Sequence, residues 1–134
     1  MRDEEHRIQA TLFRWAALES GNHPELQLLH AIPNGGHRHK AVASRLKAEG
    51  VEGGVPGIFL PVARAEFHGL YIEMKTPKGR LTESQRNWTE ALTKQGYRVE
   101  ISRAWDAAAS LIANYLGFDA RMPLYDNETR RNEQ

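Results

Sequence analysis

Three features of this chain predict a mixed α/β domain with a small sheet flanked by helices. Apolar residues recur at helical spacing near both ends and in the middle, two short apolar runs flank a polar turn, and one segment alternates with a period of two. The 134 residues suffice for one hydrophobic core and little more. Hydrophobic residues make up 40% of the chain and charged residues 26%, the balance of a folded globular domain and not of a disordered tail.

Ile8, Leu12, Trp15 and Ala16 predict a first helix over residues 4–19, ended by Ser20-Gly21-Asn22. Leu26 to Ile32 reads as a first strand, and Pro33-Asn34-Gly35-Gly36 as a turn. Ala41, Val42, Arg45 and Leu46 give a second helix over 37–49, stopped by Gly50. The loop 51–57 holds Gly53, Gly54, Pro56 and Gly57, a composition that lets backbone approach a neighbour closely. Residues 58–62 and 70–75 read as adjacent strands of a hairpin-like pair. Thr82-Glu83-Ser84-Gln85 has the form of a capping box, opening a helix through Gln95 with Trp88, Ala91 and Leu92 on its apolar face. Gly96 stops it. Tyr97, Val99 and Ile101 alternate with Arg98 and Glu100, as in a strand covered on one face. Trp105, Ala109, Ile112 and Leu116 mark a last helix over 103–116, with Gly117 as its cap. The domain is expected to span residues 1–118, followed by a polar tail over 119–134.

Lys and Arg total 18 against 17 for Asp and Glu, so a polyanionic partner has to be met by local clustering. The absence of cysteine excludes disulfides, thiolate zinc sites and a cysteine nucleophile, and points to a reducing compartment. Met1 to His6 is polar and acidic, unlike a signal peptide, and no run approaches the roughly 20 apolar residues of a membrane helix. A cytoplasmic location without membrane contact is expected. No Gly-x-Ser-x-Gly elbow supports serine catalysis. His30, His37 and His39 suggest a transition-metal site, but residues two apart at a helix start diverge and no Cys or Asp completes the set.

Chemistry concentrates in Leu70-Tyr71-Ile72-Glu73-Met74-Lys75. Strand alternation puts Leu70, Ile72 and Met74 on one face and Tyr71, Glu73 and Lys75 on the other. A carboxylate holds a hard divalent cation, and an ammonium beside it orients water and offsets phosphate charge, as phosphodiester hydrolysis requires. Alone, Glu-x-Lys reads more simply as a solvated strand face with an ion pair. Its neighbourhood changes that reading. Asn34-Gly35-Gly36-His37-Arg38, Leu46-Lys47-Ala48-Glu49-Gly50, Gly54-Val55-Pro56-Gly57 and Glu73-Met74-Lys75 follow one another as do the motifs of a known nuclease family. The chain resembles the VRR-NUC family of the PD-(D/E)xK nucleases, over roughly residues 5–112 and including Leu81 to Gln85 and Gly96 to Val99.

The resemblance implies a restriction-endonuclease-like PD-(D/E)xK core and a Mg²⁺- or Mn²⁺-dependent endonuclease acting on branched DNA such as a Holliday junction or flap. It also implies a standalone, phage or bacterial type of domain that pairs into homodimers. Glu73 would be a metal ligand, Met74 would lend its backbone carbonyl, and Lys75 would sit by the attacking water. Gly57 stands where the family's motif has its metal-binding aspartate, so cleavage by this chain is expected to be impaired. An inactivating substitution placed in a toxic nuclease, a naturally impaired member and a site that holds metal without this ligand all fit, the first best. Glu5 matches the family's N-terminal acidic position, with Glu4 as the competing choice and a favourable charge in the first helical turn as the plain alternative. Gln85 is expected in the active site beside Lys75, or else as the third residue of the capping box. Asn34, Gly35, Gly36, Arg38 and Lys40 join a glycine turn to a helix start suited to phosphate, and Lys78 and Arg80 extend a positive rim for DNA. The non-enzymatic alternative is a DNA-structure-binding module that has lost cleavage.

Overall fold

A computed structural model describes residues 2–33 and 40–120. The turn at Asn34, Gly35 and Gly36, the residues His37, Arg38 and His39, and the tail from 121 onward lie outside the described residues.

Helix α1 (Arg2–Glu19) begins with Asp3, Glu4 and Glu5, negative charges at the positive end of the helix dipole. Leu12, Trp15 and Ala16 are buried, with Ile8 packed beside them, as the helical spacing predicts. The expected strand over 26–32 is mostly something else. Pro24–Leu28 forms a 3-10 helix, and strand β1 is only His30–Ala31. Pro24 at the start fixes a helical φ, and Leu26 and Leu29, three apart, both drop into the core. That leaves only two residues free to pair.

Helix α2 (Lys40–Ala48) has no buried residue. Strand β2 (Ile58–Leu60) stops short of the expected Val62 because Pro61 cannot extend the ladder. Strand β3 (Leu70–Met74) pairs with it antiparallel, and a turn bridged by Arg64 and Phe67 closes the connection. Helix α3 (Glu83–Lys94), capped by Thr82 and Gln85, returns the chain so that strand β4 (Arg98–Ser102) lies parallel to β3. Helix α4 (Trp105–Leu116) ends at Gly117 with φ 93°, where a side chain would be strained. The sheet order is β1-β2-β3-β4.

The register pairs Ile58 with Ile72 and Leu60 with Leu70, so these four fully buried side chains share one face. Against them lie Leu12 and Trp15 of α1 and Ala108, Ala109 and Ile112 of α4. The opposite face is closed at its hairpin end by aromatic rings. Phe59 and Tyr71, cross-strand partners, stack at 4.2 Å, with His30 edge-on to Phe59 at 5.7 Å and Tyr97 edge-on to Tyr71 at 5.4 Å. Gly69 makes room, since a Cβ there would lie 2.8 Å from the Phe59 ring. The covered face expected of β4 is not uniform. Ile101 is 40% exposed while Ser102, on the other face, is buried, because β4 is the sheet edge and α3 covers it only partly.

Candidate active site

Strand β3 runs past the end of its partner. The last β2–β3 pair is Ile58 with Ile72, and continuing that register one step brings Gly57 level with Glu73. Facing residues of an antiparallel pair send their side chains to the same side, about 5 Å apart. The Gly57 carbonyl accepts from the Ile32 N–H at 2.8 Å, and the Gly57 backbone amide lies near enough to the Glu73 carboxylate to lower its pKa. The loop carrying residue 57 and the acidic strand therefore meet.

Glu73 is not the solvated strand residue that its polarity alone suggests, being only 6% exposed. Its Oε1 atom has no hydrogen-bond partner among the described residues. Burial pushes its pKa up to about 7; Lys75 and the Gly57 amide pull it down, and the negative charge of Glu5 pushes it further up. An unpartnered carboxylate oxygen in such a place is costly unless a proton or a cation shares it.

The two N-terminal acids differ in where they sit. Glu5 is half-buried and acts on Glu73, whereas Glu4 is exposed. At Gly57, a Cβ would meet nothing within 4 Å and the backbone is not left-handed, so the position has room for an acidic side chain. Among the described residues no three His, Cys, Asp or Glu side chains gather for a metal. Glu5 and Glu73 are the two acids whose charges act on each other here, and residue 57 contributes no side-chain oxygen. The Met74 side chain is buried in the core. Lys75 follows directly, half-exposed, its N–H bonded to the Ser102 carbonyl at 2.9 Å.

Gln85 is found in the second of its two expected roles. Its Oε1 accepts from the Thr82 N–H at 2.9 Å while its own N–H donates to Thr82 Oγ1 at 3.1 Å, a complete capping box. The side chain serves the start of α3, because the helix's first N–H groups need acceptors and Gln85 and Thr82 supply them reciprocally. Lys40, Lys78 and Arg80 are exposed, the last two in the loop after Lys75. Asn34, Gly35, Gly36 and Arg38 lie outside the described residues, as do His37 and His39. His30 bonds the Leu28 carbonyl through Nδ1 and leans on Phe59. One residue escaped the sequence reading: Arg103, whose Nη1 donates to the Thr76 and Gly79 carbonyls at 2.8 and 2.6 Å. No local pattern announces it, since its partners are 24 and 27 residues away.

A central strand ending in a buried acid, a lysine two residues on, and a hairpin partner that ends beside that acid define a nuclease-type α/β fold of the PD-(D/E)xK class. The model of the VRR-NUC domain family matches residues 3–105, and the chain belongs to that family. A solved structure described as a VRR_NUC domain protein superposes with a TM-score of 0.70 at 25% identity, covering 86% of this chain and 89% of that one. No curated protein matches. Among the described residues no helix is long and apolar enough to cross a membrane.

Proposed function

We propose that this chain is a metal-dependent DNA endonuclease for branched substrates, held in an impaired state by glycine at position 57. One observation supports the reading: Glu73 is buried with a free carboxylate oxygen, and residue 57, one step beyond the Ile58–Ile72 pair, has open space around its Cβ position. The donors suit Mg²⁺ or Mn²⁺, since Glu73, Glu5 and the Met74 carbonyl offer hard oxygen ligands. Such an ion supplies positive charge against the phosphate and makes water a better nucleophile.

The chain's own residues do the rest. Lys75 orients the attacking water and offsets charge that grows on the phosphate during the reaction. Lys78 and Arg80 hold the DNA backbone, contacts that fix position without reading sequence. Two such sites in a homodimer suit a junction that presents two strands. With residue 57 lacking an oxygen, Mg²⁺ is bound weakly, because that ion sheds its waters only for well-placed ligands. The second reading, a DNA-structure-binding module without cleavage, is favoured by that same glycine.

Comparison of this chain with Gly57→Asp on branched and linear DNA, in Mg²⁺ or Mn²⁺, separates the two. The nuclease reading expects Gly57→Asp to cut branched DNA and the parent chain to cut far less. Adding Glu73→Ala or Lys75→Ala to Gly57→Asp is expected to lower the rate by about 100-fold or more. Binding of branched DNA with no cleavage by either chain supports the module instead.

A further inference from the structure

We propose that Arg103 is a positioning residue for Lys75, acting through the turn Thr76–Gly79. The assignment rests on the reading of Lys75 as the lysine of a nuclease site. The two short bonds from Nη1, to the carbonyls of Thr76 and Gly79, use both of its hydrogens, with the Pro77 carbonyl further off at 3.4 Å. Inside the turn, the Gly79 N–H donates to the Thr76 carbonyl at 3.0 Å. Arg103 therefore clasps a turn that is already closed and fixes where it sits.

That location matters because the Lys75 stem runs beside the turn. A Cβ on Gly79 would lie 3.5 Å from Lys75 Cδ and 3.1 Å from Thr76 Oγ1, so a side chain at position 79 would touch the stem, and the turn's position sets the wall along which Lys75 runs. At its base, Lys75 is fixed by the hydrogen bond to the Ser102 carbonyl. An ammonium on a four-carbon stem keeps a direction only when the stem is packed. Ser102 holds the backbone at the base of that stem, and Arg103 fixes the turn beside which the stem runs. Consecutive residues at the end of β4 thus govern one side chain at the end of β3. Arg103 itself is exposed, and its bonds to the turn order a long side chain without adding to the core. Aiming Lys75 is the role that this arrangement serves.

Arg103→Ala removes the donors, and Arg103→Lys keeps the charge but replaces the planar fork by a single ammonium. Two readouts use the chain as it stands, with no metal and no DNA. One is acylation of Lys75 by an N-hydroxysuccinimide ester, followed by peptide mass spectrometry with exposed Lys94 as reference; the other is amide exchange at Gly79. Arg103→Ala is expected to raise both by about threefold or more, and Arg103→Lys by less, with Lys94 and the Ile72 amide unchanged. In the Gly57→Asp background with Mg²⁺, Arg103→Ala is expected to lower kcat roughly 10- to 100-fold at nearly constant KM. Millimolar guanidinium should restore part of that loss.

Unchanged Lys75 acylation and Gly79 exchange would overturn the proposal whatever the cleavage assay gives. A loss confined to thermal stability, with kcat intact well below Tm, would overturn it too. Should Arg103→Ala fail to fold, Arg103→Lys carries the same measurements. If the local readouts respond and Gly57→Asp does not cut, the nuclease reading fails while the positioning of Lys75 stands.

Discussion

Glu73 concentrates the tension of the molecule in one side chain. Its pKa in the folded chain is about 7 against an ordinary 4.5, with burial as the main cause. The folded protein therefore holds a proton that the unfolded chain releases between those two values. The protonated carboxyl's contribution to stability is complete below about pH 4.5 and is lost as the pH rises through about 7. At 1.36 kcal/mol per pKa unit the loss amounts to about 3 kcal/mol at most. In chelating buffer, urea unfolding at pH 5 and pH 8 should show the parent chain losing stability with rising pH and Glu73→Gln losing much less. Equal slopes would mean that Glu73 is solvated and that the free oxygen has no consequence. Residues of this kind were legible unevenly. Glu73, Lys75 and the departure at Gly57 stand in short motifs, whereas the choice of Glu5 over Glu4 depends on the phase of α1 against β3. Arg103 was not legible at all, since only the folded chain brings it to the turn that it holds.

At the scale of elements, the hairpin of β2 and β3 does most of the organising, and its turn is the least comfortable part of it. Ala65 has φ 50° between the bridged residues Arg64 and Phe67, a left-handed conformation that favours glycine. Ala65→Gly is expected to raise stability by about 1 kcal/mol, read as a shift in the urea midpoint at constant m, because relief of the Cβ clash exceeds the added freedom of the unfolded chain. A loss of stability would show that the turn is not strained. The aromatic row across the same hairpin explains how the sheet does without a full helical layer there. Its rings shield each other, and the strand end beyond them carries the buried Glu73. Sequence periodicity revealed the helices and the hairpin because apolar spacing reports which face is buried. It failed at Leu26 to Ile32, where a proline start and a spacing of three make a 3-10 turn, and it left Gln85 open, where one side chain satisfies two patterns and only geometry decides.

The whole molecule is one core between the sheet and the pair α1 and α4, and the candidate site draws on parts that this core holds together. Glu5 comes from α1, residue 57 from the start of the hairpin, Glu73 and Lys75 from β3, and the turn after them is tied to the end of β4 by Arg103. Phe118, stacked on His23 at 3.6 Å, fastens the end of α4 to the segment after α1. A cation that bridges these parts binds only the folded chain, so its affinity is read directly as stability. Aspartate at position 57 would stand opposite Glu73 on the same sheet face, where two like charges repel. Without metal, Gly57→Asp should therefore be less stable than the parent at pH 8. With Mg²⁺ at about 100 times its dissociation constant the gain is about 2.7 kcal/mol, which for a chain of this size is a rise in Tm on the order of 10 °C. The parent chain, short of that ligand, should respond far less at the same concentration. Thermal unfolding of both chains in chelator and in millimolar Mg²⁺ makes the comparison. Crossing of the order of stability between the two buffers places the cation between residue 57 and Glu73, and an equal response in both chains takes residue 57 out of the metal site.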